Sequence, residues 1–142
     1  MQLFSQDTKA DALGRCPFFA DLSRGELREL AKVTEDMEVE EGKTLTREGA
    51  AGSEFFVIVD GEVAVTKDGS EVRTMGEGDF FGEISLLEDR PRTATVTAKT
   101  PLRFFVLTRQ NFRALLNKQP ELEEKVTSAL EERLRATPEE PT

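Results

Sequence analysis

The sequence predicts a mainly β domain: an antiparallel β-roll (jelly-roll-like) or sandwich, with an N-terminal helical segment, one short inserted helical turn and two C-terminal helices. Three observations predict it. A chain of 142 residues suffices for one hydrophobic core and is too short for two ordinary domains. Between residues 34 and 107, short runs of β-branched and aromatic residues are punctuated by Gly42, Gly49, Gly52, Gly61, Gly69, Gly76, Gly78 and Gly82, turn signals at the spacing of rolls and sandwiches. After residue 107, and again ahead of residue 34, apolar residues recur at helical intervals.

The N-terminal segment spans residues 1–33. Residues 1–13 show weak periodicity and read as a frayed helix, and 14–21, with Pro17, Phe18 and Phe19, as the piece that docks the next helix. Ser23 with Glu26 forms a capping box ahead of Leu27, Leu30 and Ala31, which predicts that helix over residues 23–33.

Within the roll, the dipeptides Asp60-Gly61 and Asp68-Gly69 read as hairpin turns, because glycine tolerates the positive φ such turns require. Between them Val63 and Val65 alternate with Glu62, Ala64 and Thr66, the period of a half-buried strand. Beyond residue 107, Phe112, Leu115 and Leu116 mark one helix, and Leu122, Val126, Ala129, Leu130 and Leu134 a second, with Pro120 dividing them. The second stripe reads as an intramolecular core face, since two heptads fall short of a coiled coil. The expected state is a monomer or weak dimer. Residues 137–142, with two Pro and two Glu, read as a disordered tail.

Composition excludes several functions. A net charge of −9 repels phosphate polymers and anionic lipid, so neither nucleic acid nor membrane is an expected partner. The longest apolar runs, 55–59 and 104–107, are strand-sized and far below the roughly 20 residues that cross a bilayer. No basic-then-apolar leader opens the chain. Cys16 is the one cysteine, so no internal disulfide forms and a cytoplasmic location is expected. Histidine is absent, which removes His-ligated metals, Ser-His-Asp triads and Cys-His dyads together.

Residues 80–96, FFGEISLLEDRPRTATV, do not suit a plain β protein. Gly82 permits close backbone approach, residues 83–87 suffice for one helical turn, and Pro91 ends it. The unpaired N–H groups at the start of such a turn bind anions. Arg92 comes soon enough after it to form the second side of a phosphate clamp, with the Thr93 hydroxyl beside it. Glu83 would repel a lone phosphate, so the ligand must also offer a donor such as a sugar hydroxyl. A nucleotide meets both demands.

The run Phe81-Gly82-Glu83-Ile84-Ser85-Leu86-Leu87, followed by Pro91-Arg92-Thr93-Ala94-Thr95-Val96, resembles the phosphate-binding cassette of the cyclic-nucleotide-binding domain family. That family includes catabolite-activator-type regulators, kinase regulatory subunits and cyclic-nucleotide-gated channels. FFVIVDGEVAV (55–65) and GEGDF (76–80) are similar to the family's hairpin and to the turn entering its cassette. The resemblance covers roughly residues 14–136 and places a cassette at 81–96. It implies that Gly82 and Ser85 offer backbone N–H groups, that Glu83 holds the ribose 2′-OH and that Arg92 pairs with the cyclic phosphate, with Phe81 and Ile84 as further ligand-binding positions. Thr93 would sit beside the phosphate and reach towards the base, while Val65, Val72 and Arg73 would line the base pocket. Leu130, Arg133 and Leu134 on the last helix are lid candidates.

The implied function is a sensor of cAMP, or of cGMP, with no catalysis and no cofactor beyond that ligand. The sequence holds no helix-turn-helix, kinase or channel segment after the roll, so the expectation is that the effector is missing or belongs to a protein or domain outside this chain. Duller readings stand beside this one: GEGDFFG as turn glycines, Arg92 and Glu83 as a structural ion pair, Thr93 as an ordinary strand residue, and Cys16 as a small buried hydrophobe. The competing function is a degenerate roll that serves as a protein-interaction domain. A metal-dependent enzyme of another β-roll family is disfavoured by the lack of histidine.

Overall fold

The computed structural model describes residues 6–136; the segment read as a tail, 137–142, and residues 1–5 lie outside the described residues. Helix α1 (Gln6–Gly14), a 3-10 turn (Pro17–Phe19) and α2 (Arg24–Lys32) precede the roll. Eight strands among the described residues build it: β1 (Glu35–Val39), β2 (Thr44–Thr46), β3 (Glu54–Asp60), β4 (Val63–Lys67), β5 (Ser70–Met75), β6 (Phe80–Phe81), β7 (Thr95–Ala98) and β8 (Leu102–Thr108). A second 3-10 turn (Glu83–Leu86) lies between β6 and β7, and α3 (Arg109–Lys118) and α4 (Pro120–Ala136) close the described chain.

The strands form two antiparallel four-stranded sheets, in the orders β1-β8-β3-β6 and β2-β7-β4-β5. Strands β3 and β8 are buried on both faces, which is why they read as unbroken apolar runs. Phe55, Val57, Phe105 and Leu107 join a core beneath the helices, with Phe18, Phe19, Leu30, Phe112, Leu122, Val126 and Leu130. Their neighbours Phe56, Ile58, Phe104 and Val106 fill the space between the sheets with Val63, Val65, Phe81 and Val96. The Leu122, Val126, Leu130 stripe is therefore consumed inside the molecule.

Two local readings are corrected. Asp60-Gly61 is no hairpin turn: β3 and β4 belong to different sheets, and Gly61 (φ 103°) makes the corner between them. A β-carbon there would stand 2.5 Å from the Pro101 carbonyl oxygen. Asp68-Gly69, by contrast, joins the paired strands β4 and β5 with both residues at positive φ (52° and 81°), as a two-residue hairpin requires. The second correction is α1, which packs firmly instead of fraying. Ala10, Ala12 and Leu13 are buried, and Lys9 lays its stem inside and donates Nζ to the Thr34 carbonyl at 2.6 Å. Arg24 and Arg28 of α2 pair with Asp7 and Asp11 on its outer side.

The capping box is formed in full. Ser23 Oγ accepts the Glu26 N–H at 3.1 Å, and the Glu26 carboxylate accepts the Ser23 N–H at 2.8 Å. Pro120 stands at the first position of α4, where its missing N–H costs nothing, so only Gln119 separates α3 from α4.

Candidate functional site

The short turn after β6 begins at Gly82, whose φ of 86° is left-handed. A β-carbon on Gly82 would lie 2.6 Å from the Glu54 carbonyl oxygen and 2.7 Å from Arg92 Nη1, so glycine is required by conformation and by space. The turn is 3-10, and its tight geometry gives the Ser85 N–H to the Gly82 carbonyl at 3.0 Å. This corrects the expectation for Ser85: its N–H already has an acceptor within the turn. The N–H groups of Glu83 and Ile84, one step earlier, are the ones the turn itself cannot satisfy. Glu83, Ile84 and Ser85 are all buried.

Arg92 is buried, 6 % exposed. Pro91 bridges to Ala51, and the Arg92 N–H donates to the Ala50 carbonyl at 2.8 Å, which fixes the backbone beside β3. The guanidinium Nη2 donates to the Glu54 carbonyl at 2.9 Å and lies 3.3 Å from the Glu54 carboxylate, with the Phe56 ring 5.9 Å from Cζ. Gly52 makes room for it, since a β-carbon there would fall 1.9 Å from Arg92 Nε. Gly52, Glu54 and Phe56 thus shape the site, and sequence reasoning missed all three as site residues. Gly52 alone left a signal, as one of two glycines shortly before an apolar strand.

Glu83 is 1 % exposed. Its Oε2 accepts Arg133 Nε at 2.6 Å, while its Oε1 is buried with no hydrogen-bond partner among the described residues. Arg133 comes from α4 and lies over the rings of Phe18 (5.6 Å) and Phe80 (5.2 Å). The carboxylate of the cassette is thereby tied to the last helix. Cys16 stands close enough to feel it: burial, and secondly the Glu83 charge, push the Cys16 thiol up to about 12, so it stays protonated and inert at neutral pH.

The remaining residues named from sequence fall into two groups. Val65 lies on the inner face of β4, opposite Arg73 of β5, and a cavity of about 260 Å3 is lined by Arg73, Thr74, Met75, Asp79, Phe80 and Arg133. Arg133 therefore joins the Glu83 end of the site to the β5 wall. Thr93 is half-buried just ahead of β7, and Leu134 is half-buried beside Arg133. Three residues depart from their expected places. Val72 is the extra residue of a β-bulge opposite Val65 and Thr66, is 54 % exposed and does not line the cavity beside Arg73. Phe81 turns into the core between the sheets, stacked on Phe56 at 4.7 Å. Leu130 is fully buried beneath the helices and is a core residue rather than a lid.

Comparison with known proteins agrees with this geometry. The family model described as "Cyclic nucleotide-binding domain" matches residues 36–119, more than half of the chain. A cAMP-dependent protein kinase regulatory subunit of Yarrowia lipolytica is 42 % identical over 106 residues, covering 73 % of this chain and 28 % of the relative. A cGMP-dependent protein kinase of Eimeria tenella is 42 % identical over 83 residues, 58 % of this chain and 8 % of that protein. The chain thus spans between about a tenth and a quarter of the length of these curated relatives. The crystal structure of the N-terminal domain of a transcriptional regulator from Streptomyces coelicolor superposes with a TM-score of 0.81 at 31 % identity, over 89 % of this chain and 92 % of that one. On the extent of these matches, with the roll and the cassette both in place, the chain belongs to the cyclic nucleotide-binding domain family.

Proposed function

We propose that this domain is a sensor that binds a cyclic nucleotide in the roll and carries out no chemistry of its own. The observation that carries this reading is the buried, unpartnered Oε1 of Glu83 in the turn whose first residue, Gly82, abuts the Arg92 guanidinium. A buried acceptor without a donor is costly, and a ribose hydroxyl supplies that donor. The cyclic phosphate would meet Arg92 and the N–H groups that open the turn, exchanging the long 3.3 Å ion pair with the Glu54 carboxylate for a closer pair with the phosphate. Because Glu83 holds Arg133 with its other oxygen, ligand and α4 can be bound at once. The ligand then favours the arrangement in which α4 is docked, as a conformational response requires.

Similarity over the longer stretch to a cAMP-dependent regulatory subunit supports cAMP as the preferred ligand, and Thr93 leaves cGMP as the alternative. A regulatory role implies an effector in a protein or domain beyond this stretch. No helix among the described residues is long and apolar enough to cross a membrane. The acidic charge argues against nucleic acid as a partner, and a lone inert thiol suits a reducing cytoplasm. With the leucine stripe of α4 spent inside, a monomer or weak dimer is the consistent state.

Isothermal titration calorimetry of the nucleotide-free chain with cAMP and then cGMP tests the reading. Saturable one-to-one binding, tighter for cAMP, is the predicted result. A folded chain that gives no binding heat with either nucleotide overturns it.

A further inference from the structure

The cassette turn is too short to hold its own shape. Four residues give few internal hydrogen bonds, and isolated turns of this length are not stable. Two arginines of α3 supply what it lacks. Arg109, the first residue of α3, donates its backbone N–H to the Ser53 carbonyl at 2.7 Å and its Nη1 to the Ser85 carbonyl at 3.0 Å. Ser53 immediately precedes Glu54, whose carbonyl receives Arg92 Nη2. One residue therefore joins the start of β3, which orients the phosphate-binding guanidinium, to the turn that faces it. One helical turn later, Arg113 Nη2 donates to the Leu87 carbonyl at 2.9 Å, the i,i+4 spacing placing both arginines on one face. Thr108 caps α3 by accepting the Asn111 N–H at 3.1 Å, which fixes where the helix begins. A cavity of about 550 Å3 opens beside these contacts, lined by Ser53, Leu87, Arg109 and Arg113, so water has access and could satisfy both carbonyls instead. The arginines fix directions that water would leave loose.

We propose that Arg109, assisted by Arg113, is a positioning residue for nucleotide binding: it holds the cassette turn and the start of β3 in the relation the phosphate requires, without touching the ligand. This rests on the sensor reading given above. The test compares Arg109→Gln, Arg113→Gln and Arg109→Lys with the unaltered chain in two measurements. Amide hydrogen exchange in the nucleotide-free protein is expected to speed up about tenfold at Leu87 and Glu88 in Arg109→Gln, and less in Arg113→Gln, the loss of one charge-assisted hydrogen bond. Calorimetry with cAMP is expected to show roughly tenfold weaker binding for Arg109→Gln, while Arg109→Lys, which keeps a cationic donor, recovers most of the loss and keeps the fold comparable. Unchanged exchange at Leu87 and Glu88 overturns the proposal whether or not nucleotide binds. So does exchange that changes while cAMP affinity stays level. A failure of the unaltered chain to bind either cAMP or cGMP overturns the sensor reading instead, and the exchange measurement still decides whether α3 holds the turn.

Discussion

At the scale of single residues, the site is built by space as much as by charge. Gly52 has no β-carbon, and that empty volume is filled by the Arg92 side chain. Gly52→Ala is therefore predicted to push the guanidinium off the Glu54 carbonyl. Thermal unfolding should register a modest loss, on the order of 1 kcal/mol for one hydrogen bond, whereas calorimetry should register a much larger loss of nucleotide affinity. Glu83 makes a second prediction. If its open oxygen takes the ribose hydroxyl, the unaltered chain binds cAMP about tenfold or more tightly than 2′-deoxy-cAMP, the worth of a hydrogen bond to a charged group. Glu83→Gln should narrow that ratio several-fold; an equal ratio in both proteins would contradict the assignment. Gly82, Glu83 and Arg92 were legible because their residue types dictate their chemistry. Gly52 and Glu54 were not, since their roles depend on β3 running beside the 91–92 segment, a pairing about 40 residues apart that no local pattern encodes. The Glu83 to Arg133 pair, with its partners 50 residues apart, was hidden for the same reason.

At the scale of elements, local grammar was read well where the signal was local. The capping box of α2 needs only four consecutive residues, and Asp68-Gly69 only two. Asp60-Gly61 shows the limit: the same dipeptide turns a hairpin in one place and a sheet corner in another, and the partner strands decide which. The firm packing of α1 was hidden because its buried face consists of two alanines, one leucine and a lysine stem, which carry little hydrophobic signal. Ser23→Ala is predicted to destabilise the domain by about 1 kcal/mol through loss of the cap, measured by urea unfolding. The same box predicts a pH effect. The Ser23 backbone N–H, and next the Lys125 ammonium at 3.0 Å, hold the Glu26 carboxyl below its usual range. A carboxyl depressed in the folded state stabilises above its unfolded pKa of about 4.3, and this contribution is lost as pH falls through the folded value. The unfolding midpoint of the unaltered chain should therefore drop more between pH 5 and pH 3 than that of Glu26→Gln. Equal drops would show that α2 and α4 are not joined through this carboxylate.

At the scale of the whole molecule, β3 and β8 stand between two cores, one beneath the helices and one between the sheets. This arrangement explains how a nucleotide in the roll can be felt by the helices. The cassette turn is grasped by α3 through Arg109 and Arg113 and by α4 through Arg133, so a ligand that orders the turn is predicted to order both helices. The fold class was legible from glycine spacing and flanking helical periodicity, but the assignment of strands to two sheets was not, because it is set by which faces can be buried together. All of this converges on Arg92, the buried cation to which the cyclic phosphate is assigned. The most direct measurement is calorimetry with cAMP on the unaltered chain and on Arg92→Ala, with both shown to be folded. Binding weakened by about 2–5 kcal/mol in the variant is the predicted result, the usual cost of truncating one partner of a buried charged pair; undiminished affinity would contradict the phosphate site itself.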